Sequence, residues 1–260
     1  MFLQNEKYIN KGLAVTSVIL IIVSIGIIFI ATGSLFFSMD YSVFMRDFNQ
    51  NSMHHGWKIL EYIDANQLIG SFALFIIGGI LLLLSQIFQI IVVYQWSRAL
   101  NTNIDNTRYT FHQLKTKIED KSKTEALNVM DMGLSNNKVQ VWAYWVYFAM
   151  IIISYFSIGS LSWISLIGII FLAIYINSVF GVAKYLQDSK NRVYEYLGKN
   201  IYFTKSIIKN RNVGLFILFV IITFGIYWLY LIIKLSDEIN SYLAWDIQTR
   251  EKFLENPDIQ

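Results

Sequence analysis

The side chains with the chemistry to act are few. His54 and His55 stand in a stretch that also holds Asp40, Asp47 and Glu61, and imidazole with carboxylate would suit a divalent metal such as zinc. Adjacent histidines do not share a helix face, however, and no His-x-x-x-His pair occurs, so the stretch reads as a solvated loop. Gln86, Gln89 and Asn177 are polar side chains inside otherwise apolar runs. Gln86 and Gln89 are three residues apart and share a helix face. They could line a pore or a transport path, or they could hydrogen-bond between helices, an interaction of about 0.6 kcal/mol on average in bundles. His112 falls on the polar side of a helical stripe. There is no phosphate-cradling glycine loop and no Gly-x-Ser-x-Gly elbow. The absence of cysteine excludes disulfides, iron–sulfur clusters and thiolate metal sites. No catalytic residue, cofactor or metal ligand is therefore assigned, and the chain is not expected to be an enzyme.

The elements that must position these residues follow from where the charges are missing. Of 260 residues, 55% are hydrophobic and only 15% charged, against about 25% in soluble domains; the mean hydropathy is +0.46. Four intervals lack Asp, Glu, Lys and Arg: Gly12 to Met39, Ala65 to Ser97, Val139 to Ala183 and Asn212 to Ile233. Crossing about 30 Å of hydrocarbon takes roughly 20 apolar residues. The 45-residue third interval is too long for one helix, and its Phe156 to Ser162 stretch, rich in Ser and Gly, predicts a tight helical hairpin. The expected fold is thus an all-α, polytopic transmembrane helix bundle of about five spans, near 13–37, 67–96, 140–156, 162–183 and 213–234, with an outer loop at 38–66. The apolar run after Lys7 and Lys11 is too long for a signal-peptide core and reads as a retained first span. No span has an ionisable residue at its centre, where each costs about 2.5 kcal/mol or more. That argues against a proton-coupled pump, a voltage sensor or an intramembrane aspartyl or metal protease.

Loop charges orient the bundle. Segments 98–138 and 184–211 each carry seven Lys or Arg, whereas loop 38–67 and the tail after Lys234 carry two each among more numerous carboxylates. Positive loops stay in the cytoplasm, so five spans with a cytoplasmic N-terminus would put the tail outside the cell membrane. Gly225 and the aromatic cluster behind it allow another reading, in which the last span is re-entrant and the tail is cytoplasmic.

Both lysine-rich segments are expected to be cytoplasmic and helical. Leu100, Ile104, Thr107, Phe111, Leu114 and Ile118 form a heptad seam, which extends the second span to about Glu119, and Gly133 to Asn137 reads as the loop back to the membrane. Segment 184–211, with a net charge of +5 and interleaved aromatics, suits a helix against anionic headgroups. Without a recognised binding module, no nucleic-acid partner is expected. The tail 235–260 is amphipathic, with Leu235, Ile239, Tyr242, Leu243 and Ile247 on one stripe. Ser17, Ser24 and Ala31 recur at seven residues, and Ala173, Asn177 and Gly181 at four, which points to close helix packing.

Three span exits share an aromatic, basic, leucine and asparagine pattern ending at Asn101, Asn191 and Asn240; it fits either a duplicated unit or generic helix-end chemistry. The run Ile222-Thr-Phe-Gly-Ile-Tyr-Trp-Leu-Tyr230, followed by Lys234 to Asn240, resembles the signature of an uncharacterised prokaryotic integral membrane family, a domain of unknown function. The resemblance covers about Val213 to Leu254 and implies a prokaryotic membrane protein, without any catalytic residue. The function expected is that of a non-catalytic interaction or accessory component. Its partners would be the lipid bilayer and a protein partner or second copy held through the cytoplasmic helices. The alternative is a small uncoupled transporter or channel lined by Gln86, Gln89 and Asn177.

Overall fold

The computed structural model describes residues 3–38, 65–156, 161–196 and 206–255, and every regular element among them is an α-helix. In chain order these are α1 (Lys11–Ser38), α2 (Ala65–Lys115), α3 (Lys121–Asn136), α4 (Val141–Phe156), α5 (Leu161–Tyr196), α6 (Val213–Ile222) and α7 (Ile226–Glu255). Three helical stretches among the described residues are long and apolar enough to cross a membrane: Lys11–Phe37, Asn66–Lys115 and Leu166–Val193. In hydrocarbon the backbone must bond to itself, which favours helix for the apolar part of each stretch. Helix α4 is shorter, 16 residues, or about 24 Å at 1.5 Å per residue.

The chain divides into two compact units, Gly12–Ile90 and Met1–Lys11 with Ile91–Gln260. In the first, α1 and the start of α2 pack antiparallel along small residues. Ser17, Ser24 and Ala31 are fully buried, and so is Ser85, with Ser71 nearly so. The Ser85 hydroxyl donates to the Ser17 carbonyl at 2.7 Å, and the Ser24 hydroxyl donates to the Gly78 carbonyl at 2.6 Å. Ser34 and Ser71 hydroxyls meet at 2.5 Å. Two heptad-spaced series, 17/24/31 and 85/78/71, therefore run past each other in register. Gly78 is required for the approach, since a Cβ there would lie 2.7 Å from Ile28 Cγ1.

In the second unit the heptad seam of α2 is buried as its spacing predicts: Leu100, Ile104, Thr107, Phe111 and Leu114 are all within 2% of full burial. The helix stops at Lys115, short of Glu119, and Ile118 is only half-buried just after the turn that follows. Asp120 then caps α3 by accepting from the Ser122 amide at 2.9 Å. The stretch 133–137 is not a loop. Helix α3 continues through Gly133 to Asn136 because Leu134 is buried, and the Asn137 side chain closes the helix end on the Gly133 carbonyl. Helices α4 and α5 pack side by side, with Tyr144 against Tyr175 at 5.3 Å and Trp142 edge-on to Phe171 at 6.0 Å. The hairpin loop expected between them, residues 157–160, lies outside the described residues, as do His54, His55 and their neighbouring carboxylates.

Two expectations for the basic segment and the last span change. Residues 184–196 do not form a separate surface helix; they continue α5, and Leu186, Lys190 and Val193 are buried. Residues 206–212 are not helical: the amides of Ile207 and Ile208 bond to Gln187 Oε1 at 2.7 and 2.9 Å. The interval 213–234 is two helices, because the chain turns at Thr223, Phe224 and Gly225, the last two with φ of +48° and +88°. Only glycine takes that backbone without steric cost.

Candidate functional site

The densest collection of polar side chains among the described residues lies where residues 3–10, α2, α5 and α7 meet. Two asparagines hold the extended N-terminal strap by its backbone. Asn106 of α2 accepts from the Gln4 amide at 2.8 Å and donates to the Gln4 carbonyl at 2.9 Å. Asn240 of α7 does the same for Ile9, at 2.8 Å in each direction. A carboxamide can satisfy a peptide donor and acceptor together, so each clamp stands in for a neighbouring strand. The Asn10 amide also donates to Gln95 at 2.8 Å.

Beneath the strap lies a network of charges withdrawn from water. Lys190 of α5 and Asp246 of α7 are both 0% exposed, with Nζ 2.5 Å from Oδ1. Asn103 of α2 completes the triangle: its Oδ1 accepts from Lys190 at 2.9 Å and its Nδ2 donates to Asp246 Oδ2 at 2.8 Å. The Lys190 ammonium also sits over the Tyr242 ring, 5.3 Å from the centroid, a favourable cation–π position. One turn on, Arg250 Nε lies 3.0 Å from Asp246 Oδ2, and the guanidinium pairs with Glu6 of the strap. Glu6 Oε1 accepts from Asn103 and Asn106 as well, while Oε2 is buried without a hydrogen-bond partner. A buried ammonium is tolerable only when its donors are used, and here Asp246, Asn103 and Tyr242 occupy its surroundings.

Two further pairs tie α7 to the chain before α6 and to the start of α1. Arg211 forms a bidentate pair with Glu238 at 2.6 and 2.8 Å; burial disfavours the guanidinium charge, but the hydrogen bonds and the charge of Glu238, with Tyr227 and Tyr230, together outweigh it and the Arg211 pKa is raised. Lys11 meets Asp237 at 2.5 Å, and this bond holds the Asp237 carboxyl below its ordinary value. Beside the network is a cavity of about 370 Å³, lined by Gln4, Glu6, Tyr8, Asn106, Arg250 and Glu251 among others.

The residues singled out from the sequence lie elsewhere. Gln86 is exposed, and Gln89 is half-buried with its Nε2 3.2 Å from Ser85 Oγ; both belong to the Gly12–Ile90 unit. Asn177 is exposed on α5, in the other unit. None of the three lines the 370 Å³ cavity or the one of about 470 Å³ beside Ser34 and Ser71. His112 is exposed. Among the described residues no group of three or more His, Asp and Glu could hold a metal. The three exit asparagines differ in use: Asn101 accepts from the Val139 amide at 2.9 Å, Asn240 clamps the strap, and Asn191 Oδ1 is buried without a hydrogen-bond partner.

Lys190, Asp246, Asn103, Glu6 and Arg250 were not singled out by type or motif. Part of the signal was present. Asp246 and Arg250 extend the stripe Leu235, Ile239, Tyr242 and Leu243 at helical steps of three and four, and Lys190 falls between Leu186 and Val193 on the buried face of α5. No protein family, curated protein or solved structure matches the chain.

Proposed function

We propose that the protein is a non-catalytic integral membrane protein that serves as an interaction or accessory component, with the region around Asn103, Lys190 and Asp246 as its rigid cytoplasmic platform. The carrying observation is the Lys190–Asp246–Asn103 triangle. Its charges are fully buried and committed to one another, which suits a group that fixes three helices better than one that meets a substrate. Charge in the loops supports a cytoplasmic location, since segments 98–138 and 184–211 hold most of the lysine and arginine. Counting charges alone would give five crossings and an extracytoplasmic tail. The bonds of Asn240 and Asp237 to residues 9 and 11 favour the tail on the N-terminal side, so we take four full crossings with both termini cytoplasmic. The resemblance of residues 222–240 to a prokaryotic membrane family is consistent with this class.

On this platform α3 buries Leu127 and Leu134 and turns Val129 and Met132 outward, 65% and 63% exposed, a face suited to a protein partner or a second copy. The test is purification in mild detergent followed by reconstitution. A stoichiometric partner or dimer lost on Val129→Asp/Met132→Asp, with thermal stability unchanged, is the expected result. Solute flux through vesicles holding the protein alone, abolished by Gln86→Leu, would replace this reading with the channel.

A further inference from the structure

The run from Val213 to Ile233 has the hydrophobicity of a membrane span and the shape of half of one. Helix α6 has 10 residues, or about 15 Å, half of a hydrocarbon core of about 30 Å. The charge-free start of α7, Ile226 to Ile233, is shorter still. The two arms fold against each other: Phe216 lies 6.0 Å from Trp228 and 6.2 Å from Tyr227, and Phe219 lies 5.3 Å from Tyr227. We propose that this segment is a re-entrant hairpin. It enters the leaflet on the side of the N-terminal strap, turns at Thr223–Gly225 inside the hydrocarbon and leaves through the same leaflet, with lipid acyl chains covering its outer face.

Three independent observations support lipid as the occupant. First, the outer face is apolar throughout: Leu215, Leu218, Phe219, Ile221, Ile222 and Ile226 are exposed, and Phe224 at the tip is 96% exposed. Second, the tip withholds no backbone donor. The amides of Thr223, Phe224, Gly225 and Ile226 bond to the carbonyls of Phe219, Ile221, Val220 and Thr223 at 2.8–3.2 Å, and those of Trp228 and Leu229 to Gly225. The remaining amide, Tyr227, donates to Thr223 Oγ1 at 3.0 Å, and that hydroxyl donates to the Phe219 carbonyl at 2.7 Å. A loop in water has no need of such closure, whereas one in hydrocarbon loses several kcal/mol for each open group. Third, the base is polar and tied to the tail's side. Asn212 caps α6 through the Gly214 amide at 2.7 Å, and the Arg211–Glu238 pair joins the entry of one arm to the exit of the other. Phe216 also packs edge-on against Phe180, 6.1 Å away, near the end of the charge-free part of α5.

The hairpin rests on the membrane-protein class and on the tail lying on the cytoplasmic side, as the proposed function has it; a surface loop at the tip would overturn the hairpin alone, whereas a full crossing would separate Asp246 from Lys190 and Asn103 and overturn both. Because the chain has no cysteine, single thiols report position cleanly. Asn5→Cys and Ser241→Cys, both at exposed sites, should react with a membrane-impermeant maleimide from the same side of sealed vesicles. Phe224→Cys, and Ile222→Cys as a second reporter should the first fold poorly, should react from neither side. A fluorophore attached to either after solubilisation and reconstitution should be quenched more by lipids spin-labelled near the chain end than by headgroup-labelled lipids. Labelling of Ser241→Cys only from the side opposite Asn5→Cys would mean a full crossing. Labelling of both tip thiols from water would mean a surface loop. Either result overturns the proposal.

Discussion

The two units hold their helices together by opposite means. Along the seam of Gly12–Ile90, Ser17, Ser24, Ala31, Ser71, Gly78 and Ser85 bring backbones close, and the hydroxyls of Ser24 and Ser85 give their protons to carbonyls of the facing helix. In the region around the strap of the other unit, apart from its apolar α4 and the apolar part of α5, the interior is filled by Trp96, Phe111, Tyr242 and the ions of Lys190 and Asp246. The contrast follows from the unfolded alternative. Apolar side chains gain nothing by leaving lipid for a protein interior, so association there relies on close packing and small hydrogen bonds. A helix in water gains from burying large side chains, which can carry a few charges inside if each finds a partner.

The contrast is broken most severely at Asp246. Asp246→Ala leaves the Lys190 ammonium buried with Asn103 and the Tyr242 face, and removing one partner of a buried pair costs about 3–5 kcal/mol. The unfolding temperature of the detergent-purified protein should fall sharply. Replacing both groups, Lys190→Met with Asp246→Leu, should recover most of the loss, because no lone charge remains. A double variant as unstable as the single one would show that the ions are not what distinguishes this unit. A smaller effect is expected at Gly78. Gly78→Leu forces atoms into the space of Ile28 and the Ser24 carbonyl, and overpacking of this kind costs about 1–3 kcal/mol. It should show as faster proteolysis between α1 and α2. Ser85→Ala is the mildest: loss of one hydroxyl-to-carbonyl bond in a bundle is worth about 0.6 kcal/mol, a shift near the limit of a thermal melt. A loss there as large as that at Asp246 would erase the distinction between the seams.

What could be read from the residues beforehand tracks how local the cause is. Leu100 to Leu114 repeat at heptad spacing within one helix, and every one of those positions is buried. The small residues of α1 were legible for the same reason. Their partners Ser71, Gly78 and Ser85 have the same spacing but stand among other small residues, so only the pairing reveals them. Lys190 sits in a run of positive charge that suggests a headgroup-facing surface, and its true partner is 56 residues away, beyond any periodicity. The break after Ile222 was masked by length, since 22 uncharged residues match a crossing. Only Phe224 and Gly225, and the aromatics around them, betray that the run is folded in two.

The strap adds a matter of timing. Glu6 and Arg250 are 244 residues apart in the chain, and loop-closure entropy makes such distant contacts late ones. During synthesis the strap must wait for a segment made 244 residues later before Asn106, Asn240 and Arg250 can all engage it. A chain halted before Asp246 would leave Lys190 without its carboxylate and Glu6 without Arg250. The network thus makes docking of the strap conditional on the later turns of α7, and a chain lacking them carries an unpaired cation in its place.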